Sequence, residues 1–252
     1  MTKPLFTLLS IFFLLVVAHS QDAASLMAEG VRYEQQLKDT QAVAKYALAF
    51  QMQPSNAKAA LKAAEMNISI GSRQTNDTEK RKYYTEAKNF TDAALKLDSN
   101  NADANYMAAV VFGKMTEIET SNDKTIEQVR SIKDYADRAL AINPNHGKAW
   151  FIEGKWHYEM LNLSTFKKVA IKVMYKGMPK SNIDSAISAF EKCKTLEPYF
   201  AMNHLALGKA YYYNKQYEKA LASLQQCVKS PTMSIGDKAV KEEAKQLIVK
   251  WQ

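Results

Sequence analysis

The chain has 252 residues and a formal net charge of +8, and 47% of its residues are hydrophobic. Glycine and proline are scarce, at 8 and 6 residues, and no stretch alternates between apolar and polar side chains as a half-buried strand would. Composition therefore argues against a β-rich fold and predicts an all-helical chain.

The positive charge is concentrated in the C-terminal part of the chain. Residues 145–252 contain 17 Lys, no Arg and 9 acidic residues, a balance of +8, whereas residues 21–144 contain 16 basic and 17 acidic residues. A basic surface attracts anionic partners, but proteins that read nucleic acid rely on the bidentate contacts of Arg. We therefore expect no nucleic-acid partner, which leaves acidic proteins and anionic membrane surfaces.

Residues 1–20 have the pattern of an export signal. Lys3 precedes an apolar core over residues 5–18, and the segment that ends at Ser20 fits a small-x-small cleavage site. The core is shorter than the roughly 20 apolar residues of a membrane-spanning helix, so cleavage is favoured over an uncleaved anchor. We expect cleavage between Ser20 and Gln21 and a mature chain, residues 21–252, that is exported to the periplasm or secreted.

Residues 23–54 carry a pair of helices with a regular spacing of small and large side chains. A small residue on each helix lets the partner helix approach closely, and a proline ends the pair. This spacing is typical of tetratricopeptide repeats. In the first repeat the positions that define the pattern are Leu26, Gly30, Tyr33, Ala42, Tyr46, Ala49 and Pro54.

The same phase continues to the end of the chain. Repeats begin near residues 23, 57, 102, 147 and 201, and the longer ones carry insertions between their two helices. A final amphipathic helix over about residues 235–249 has a polar outer side, as a terminal element of a repeat array requires. The sequence therefore predicts a tetratricopeptide-repeat right-handed helical solenoid of five helix pairs and a C-terminal capping helix.

Two cysteines occupy one equivalent position in the last two repeats. Cys193 and Cys227 stand where the earlier repeats have Ala49, Ala94 and Ala139. Equivalent positions of stacked helices lie roughly 8–10 Å apart, which is too far for a disulfide. We interpret both cysteines as small buried core residues.

The fourth repeat contains the largest insertion, and its composition is not that of a loop. Segment 164–176 has helical periodicity, with Phe166 on its apolar face and Lys168, Lys172 and Lys176 along another face. Such a basic amphipathic helix suits an anionic membrane surface, which gives the first alternative function. The competing interpretation is that this helix packs on the solenoid.

A further set of residues goes beyond the generic repeat pattern. It comprises Gly154-x-Trp156-x-Tyr158-Glu159, Leu163-Ser164-x-Phe166, Gly177-Met178-Pro179, Ala186-x3-Phe190-x6-Glu197-Pro198-x-Phe200, Leu207-x-Lys209-x-Tyr211, Pro231-Thr232 and Asp237-Lys238 with Lys241-Glu242. With these residues, roughly the last two fifths of the chain resembles the repeat domain of the regulator of microtubule dynamics proteins. The resemblance implies a helical repeat fold used for protein contacts. A microtubule-related role is the least favoured function, because animal members act on the cytosolic side and this chain carries an export signal.

The repeat pattern also indicates which side chains face a partner. Positions 2, 5, 9 and 12 of the first helix in each pair line the inner groove of this architecture, and in repeats 3 to 5 they combine aromatic rings with lysines. This mixture suits a protein or peptide with acidic groups, although some of these side chains could instead pack under the final helix or the insertion. The predicted partner-binding residues are Tyr106, Lys148, Phe151, Lys155, Tyr158, Lys209 and Tyr212.

No residue pattern has the spacing of a catalytic or metal site. His146, His157 and His204 lie apart from other candidate ligands, and the sequence has no Ser-His-Asp order and no glycine-rich phosphate loop. We therefore expect a non-enzymatic protein without cofactor or metal. The leading hypothesis is an exported scaffold that binds a protein or peptide in the concave groove of repeats 3 to 5.

Four Asn-x-Ser/Thr sequons bear on function only if the chain passes through a eukaryotic secretory pathway. The sequence leaves the host and the oligomeric state open. The sequons lie at Asn67, Asn76, Asn89 and Asn162.

Overall fold

The computed structural model describes residues 22–163, 168, 171–172 and 180–251. Within 22–163 and 180–251 the chain forms eleven helices and no strand. The predicted export signal, residues 1–20, lies outside the described residues. In chain order the helices are α1 (22–35), α2 (Asp39–Met52), α3 (Ala57–Gly71), α4 (Asp77–Leu97), α5 (Ala102–Thr116), α6 (Asn122–Ile142), α7 (Gly147–Asn162), α8 (Ile183–Leu196), α9 (Ala201–Tyr213), α10 (Tyr217–Lys229) and α11 (Asp237–Trp251). None of these helices is both long and apolar enough to cross a bilayer.

The helices form two layers. Each of α3, α5, α7 and α9 contacts the even-numbered helix that follows it and also the next odd-numbered helix. Consecutive even-numbered helices have no comparable contact within the described part of the chain. The odd-numbered helices therefore crowd together on the inner, concave side, and the even-numbered helices spread over the outer, convex side. We refer to the odd-numbered helices as the inner layer.

Small residues on the inner layer set the distance between the two helices of a pair. A Cβ atom added to Gly154 of α7 would lie 2.6 Å from the ring of Phe190 on α8, and one added to Gly208 of α9 would lie 2.8 Å from Leu224 on α10. Phe190 and Leu224 are fully buried. A larger side chain at either glycine would push the paired helices apart, because protein cores are packed as densely as organic crystals.

Polar side chains cap the N-terminal ends of the middle helices of the inner layer. Asn56, Asn101 and His146 each accept a hydrogen bond from a backbone N–H in the first turn of α3, α5 or α7, at 3.0, 2.9 and 3.1 Å. These bonds satisfy N–H groups that have no partner inside the helix. The three inner helices accordingly begin at Ala57, Ala102 and Gly147.

The five equivalent outer-helix residues, Ala49, Ala94, Ala139, Cys193 and Cys227, are all 0% exposed. The two cysteines are free thiols, which confirms their interpretation as small core residues. Burial raises the pKa of Cys193 to about 12 and that of Cys227 to about 11. Thiolate formation is therefore disfavoured, and neither cysteine has the character of a reactive thiol.

Helix α11 closes the C-terminal end of the array. Its Ala244 is fully buried against the core of α9 and α10, and Val240, Leu247 and Ile248 pack around it. Asp237 fixes the start of the helix by accepting hydrogen bonds from the backbone N–H groups of residues 233 and 234 at 2.7 and 2.9 Å. The predicted all-helical solenoid of five helix pairs and a capping helix is thus confirmed.

Candidate functional site

The inner face of α7 presents three of the predicted binding residues, Lys148, Lys155 and Tyr158, which we call the α7 face. Lys155 is exposed, and no hydrogen bond or ion pair joins it to another residue in the described ranges. Tyr158 is half-buried, and its ring lies edge-on to that of Tyr213 on α9 with 6.1 Å between centroids. The α7 face therefore combines an unpaired positive charge with an aromatic surface.

Phe151 also lies on α7, but the expectation that it faces the groove is wrong. Only 6% of Phe151 is exposed. Its ring packs edge-on against Phe200 at 5.1 Å and tilted against Phe190 at 5.9 Å. The reason is that α7 turns this position towards α8 and the turn before α9, where burial of a large aromatic side chain is favourable.

The capping helix α11 contacts both of the predicted groove residues on α9. Lys209 forms an ion pair with Glu243 at 2.5 Å, and the ring of Tyr212 stacks on Trp251 with 3.8 Å between centroids. Both partners belong to α11, so Lys209 and Tyr212 hold the cap on the last repeat. Beside them, Tyr213 remains 48% exposed and continues the aromatic surface of the α7 face.

An ion pair crosses the groove in the middle of the array. Glu65 Oε1 on α3 lies 3.6 Å from Lys148 Nζ on α7, although α5 separates the two helices. The pair can form only on the concave side, where the inner helices converge. Tyr106 of α5, another predicted groove residue, is half-buried there and packs against the ring of His146 at 4.9 Å. Tyr106 also packs against two apolar clusters of the core, so it contributes packing, and burial raises the pKa of its hydroxyl.

The ion pair extends into a chain of charges towards α1. Lys62 on α3 contacts both Glu65 at 2.8 Å and Glu34 on α1 at 2.9 Å, and the hydroxyl of Tyr46 donates to Glu34 at 2.7 Å. Partial burial alone would raise the pKa of Glu65, but Lys148 and Lys62 outweigh that effect and hold the pKa below its ordinary value of 4.5. The carboxylates of Glu34 and Glu65 and the ammonium groups of Lys62 and Lys148 therefore neutralise one another on the concave side.

Asp103 and His146 form a similar self-contained pair at the start of α7. Nε2 of His146 lies 3.0 Å from Oδ1 of Asp103, and this hydrogen bond is the main reason why the pKa of Asp103 is lowered. Because Nδ1 of His146 accepts from the backbone of α7, Nε2 is the protonated ring nitrogen of the neutral side chain. Within the described part of the chain, no three His, Cys, Asp or Glu side chains are placed to hold a metal ion.

The inserted segment of repeat 4 packs on the solenoid where it is described. Ile171 is 3% exposed and lies among apolar side chains of α6 and α7, and Lys168 Nζ donates to a carbonyl at the end of α7 at 3.1 Å. Lys172 is exposed, whereas Phe166 and Lys176 lie outside the described residues. These contacts favour packing over the membrane-surface interpretation of this segment.

Sequence reasoning missed Glu65, Glu243 and Trp251. Glu65 stands at position 9 of its repeat, as Lys155 and Lys209 do, so the repeat phase contained a signal that could have identified it. No local pattern indicates that Glu243 and Trp251 would cover α9. That relationship depends on how α11 docks, which is set by the buried contacts around Ala244.

The four sequons differ in their accessibility. Asn67 is 6% exposed, and its Nδ2 donates to the carbonyl of Ala63 at 2.9 Å. Asn76 is exposed, and its Oδ1 atom caps α4 by accepting a backbone hydrogen bond from the first turn. Asn89 and Asn162 are exposed on α4 and α7. A glycan on Asn67 would be incompatible with the packed helices around it.

Paired helices stacked into a two-layer array define a tetratricopeptide-repeat scaffold, a class of protein that works through protein contacts. Solved structures of this class have the same fold. A tetratricopeptide-repeat protein of Thermus thermophilus superposes with a TM-score of 0.63 at 11% identity, covering 89% of this chain and 99% of that one. PilF of Pseudomonas aeruginosa superposes with a TM-score of 0.50 at 14% identity over 93% of this chain and 90% of that one.

Residues 26–252 match the family Regulator of microtubule dynamics protein 1-3, and the chain belongs to this family. The match begins in α1, so it extends well beyond the last two fifths. Regulator of microtubule dynamics protein 3 of Bos taurus is 25% identical over 173 residues, 68% of this chain and 36% of that one. Regulator of microtubule dynamics protein 1 of Caenorhabditis elegans is 26% identical over 172 residues, 68% of this chain and 76% of that one. The chain thus spans only about a third of the bovine relative's length.

Proposed function

We propose that this chain is a non-enzymatic scaffold that holds a protein partner against the α7 face and the adjoining Tyr213. The observation that carries the proposal is Lys155, an exposed ammonium group on the inner layer that pairs with no residue in the part of the chain that the structure describes. A carboxylate of a ligand that covers Lys155 would pair with the ammonium group and so offset the cost of removing this charge from water. An acidic segment of a protein is therefore the favoured ligand.

The surroundings of the α7 face support this location over the rest of the groove. On one side, the Glu65–Lys148 ion pair bridges the groove, and Lys62 pairs with both Glu34 and Glu65. On the other side, Glu243 and Trp251 cover α9. Between these two covered regions, Lys155 and the Tyr158–Tyr213 pair offer charge and apolar area together, as protein-binding surfaces commonly do.

Affinity capture with matched variants tests the proposal. The wild-type chain, a Lys155→Glu, Tyr158→Ala double variant and a Lys192→Glu control would each be used to capture partners from the source cells. Lys192 is an exposed lysine on the outer helix α8 with no polar partner in the described ranges. We expect the control to retain the partners of the wild type and the double variant to lose them. Equal capture by all three proteins would contradict the proposed location. Lys209 is left unchanged because its loss would loosen α11.

A microtubule-related partner is the second candidate, because the relatives of this chain are named as regulators of microtubule dynamics. Co-sedimentation with polymerised tubulin tests it. If tubulin is a partner, the wild-type chain enters the pellet with microtubules, and Lys155→Glu lowers the pelleted fraction while Lys192→Glu does not. A wild-type chain that stays in the supernatant at every microtubule concentration excludes this partner and leaves the scaffold proposal in place.

A further inference from the structure

We infer that Asn76, in the turn between α3 and α4, is the acceptor of an N-linked oligosaccharide. The inference goes beyond the proposed scaffold function and rests on the predicted export of the chain. Its sequence element is the sequon Asn76-Asp77-Thr78, and an asparagine in this pattern is an acceptor when it lies on the surface of a protein that enters the secretory pathway. The relatives from Bos taurus and Caenorhabditis elegans are eukaryotic proteins, which favours a host that has this pathway.

The turn that carries Asn76 is open to solvent. Residues 75–78 are all exposed, and so are residues 72 and 73. The backbone of Asn76 is extended, with φ −117° and ψ 151°, and α4 begins only at the next residue. A glycosyltransferase therefore reaches the sequon by opening no more than the first turn of one helix, and the attached glycan can extend into solvent.

The side-chain amide of Asn76 has a free nitrogen atom. Its Oδ1 accepts a hydrogen bond from the backbone N–H of Glu79 at 2.9 Å and so caps α4, whereas its Nδ2 has no partner in the described ranges. Glycosylation takes place at the nitrogen.

The reaction forms a bond from Nδ2 to the anomeric carbon of the sugar and breaks the bond from that carbon to the pyrophosphate of a lipid-linked oligosaccharide donor. The lipid pyrophosphate leaves with the bonding electron pair, Nδ2 releases one proton, and no atom is oxidised or reduced. The oxygen of Asn76 that caps α4 keeps its hydrogen bond throughout. The glycan and the helix cap are therefore compatible in one side chain.

The other three sequons lack this combination. Asn67 is buried, and its Nδ2 donates to a carbonyl of the preceding helical turn at 2.9 Å. The Nδ2 of Asn162 is used in the same way, at 2.7 Å. Asn89 is exposed in the middle of α4, but Thr91 of its sequon is 1% exposed and its hydroxyl donates to a carbonyl of the same helix. Within the described part of the chain, Asn76 alone combines an exposed sequon with an unpartnered Nδ2.

Site mapping on the full chain tests the inference. The 252-residue chain, with residues 1–20 in place, is produced in a cultured eukaryotic cell line and isolated from cells and medium separately. Treatment with a peptide N-glycosidase should increase the electrophoretic mobility of the secreted chain. Mass spectrometry of its peptides should show that this treatment converts Asn76 to Asp, whereas Asn67 remains an unmodified asparagine.

Variants that keep the helix cap separate the modification from folding. Asn76→Asp retains a side-chain oxygen that can cap α4, and Thr78→Ala retains Asn76 itself. Both should abolish the glycan at position 76. Thr78→Ser keeps a hydroxyl group in the sequon and should retain the glycan. Circular dichroism confirms that each variant is folded.

The possible results are distinguishable. A secreted chain without a glycan at Asn76, including one modified only at other sequons, would overturn the inference and leave the predicted export standing. An unmodified chain that stays in the cytosol would overturn both. A glycan that persists at position 76 in Thr78→Ala would contradict its assignment to this sequon. The scaffold proposal is independent of these results, because it is tested by capture that depends on Lys155 and Tyr158.

Discussion

Glu65 Oε1 on α3 and Lys148 Nζ on α7 lie 3.6 Å apart, although a complete helix pair separates their repeats. The contact joins the second repeat to the fourth across the concave side. The charges of Glu34, Lys62, Glu65 and Lys148 neutralise one another, whereas Lys155 pairs with no described residue. The position of the candidate binding surface along the array follows from this difference.

The ion pair should make stability depend on acid pH. Lys148 and Lys62 lower the pKa of Glu65 in the folded chain below 4.5, so its stabilising contribution is fully present above that value. The contribution is lost as the pH falls through the lowered folded pKa. Glu65 is 34% exposed, and solvent screening limits the effect to about 0–1 kcal/mol.

Glu65→Gln should therefore destabilise the chain slightly at neutral pH and reduce the loss of stability below pH 4.5. Chemical denaturation at a series of pH values measures both effects. Glu86→Gln is the control, because Glu86 is exposed on α4 with no polar partner in the described ranges. An identical pH dependence in wild type and Glu65→Gln would show that the ion pair makes no contribution in solution.

Glycine substitutions should separate close packing from helix propensity. Gly154→Ala places a Cβ atom 2.6 Å from the ring of Phe190, so we expect overpacking to cost about 1–3 kcal/mol. At Gly113 of α5 the nearest atom, on Ile132, is 3.9 Å from the added Cβ, so Gly113→Ala should stabilise the chain by up to about 1 kcal/mol. Thermal unfolding measures both, and equal shifts in the same direction would contradict the packing argument.

The thiols of the two buried cysteines should not react with alkylating reagents in the folded chain. Cys193 and Cys227 are fully buried free thiols with raised pKa values. We expect Cys193→Ala and Cys227→Ala to change the melting temperature only slightly. Cys193→Leu should overpack the core and lower the free energy of unfolding by about 1–3 kcal/mol. Alkylation of either thiol should require unfolding of the chain. A melting temperature of the wild type that falls on addition of reductant would instead reveal a disulfide.

Regular features of the fold were predictable because they are local. Gly154, Gly208 and the buried Ala or Cys of each outer helix recur at fixed intervals, and such spacing specifies which faces of two successive helices meet. Phe151 and Tyr212 were assigned to the groove from the same spacing, but their environment depends on tertiary contacts with Phe200 and Trp251. A repeat pattern describes an average repeat, whereas these contacts arise at one particular repeat and at the cap.

Export remains a prediction from the first twenty residues. If the segment is a cleaved signal, N-terminal sequencing of the protein isolated from its own cells should give Gln21 as the first residue. A mature protein that begins at Met1 or Thr2 would contradict cleavage. Such a result would also remove one objection to the microtubule-related candidate, which further requires that the repeat domain face the cytosol.

The central claim is that a partner lies against the α7 face. A photo-cross-linking aromatic amino acid at the position of Tyr158 is the most direct test, with the same amino acid at the outer, exposed position of Lys192 as the control. After irradiation in the source cells, we expect a partner joined through position 158 and none through position 192, with the cross-link reduced by Lys155→Glu. Cross-linking of that partner through position 192 and not through position 158 would contradict the account.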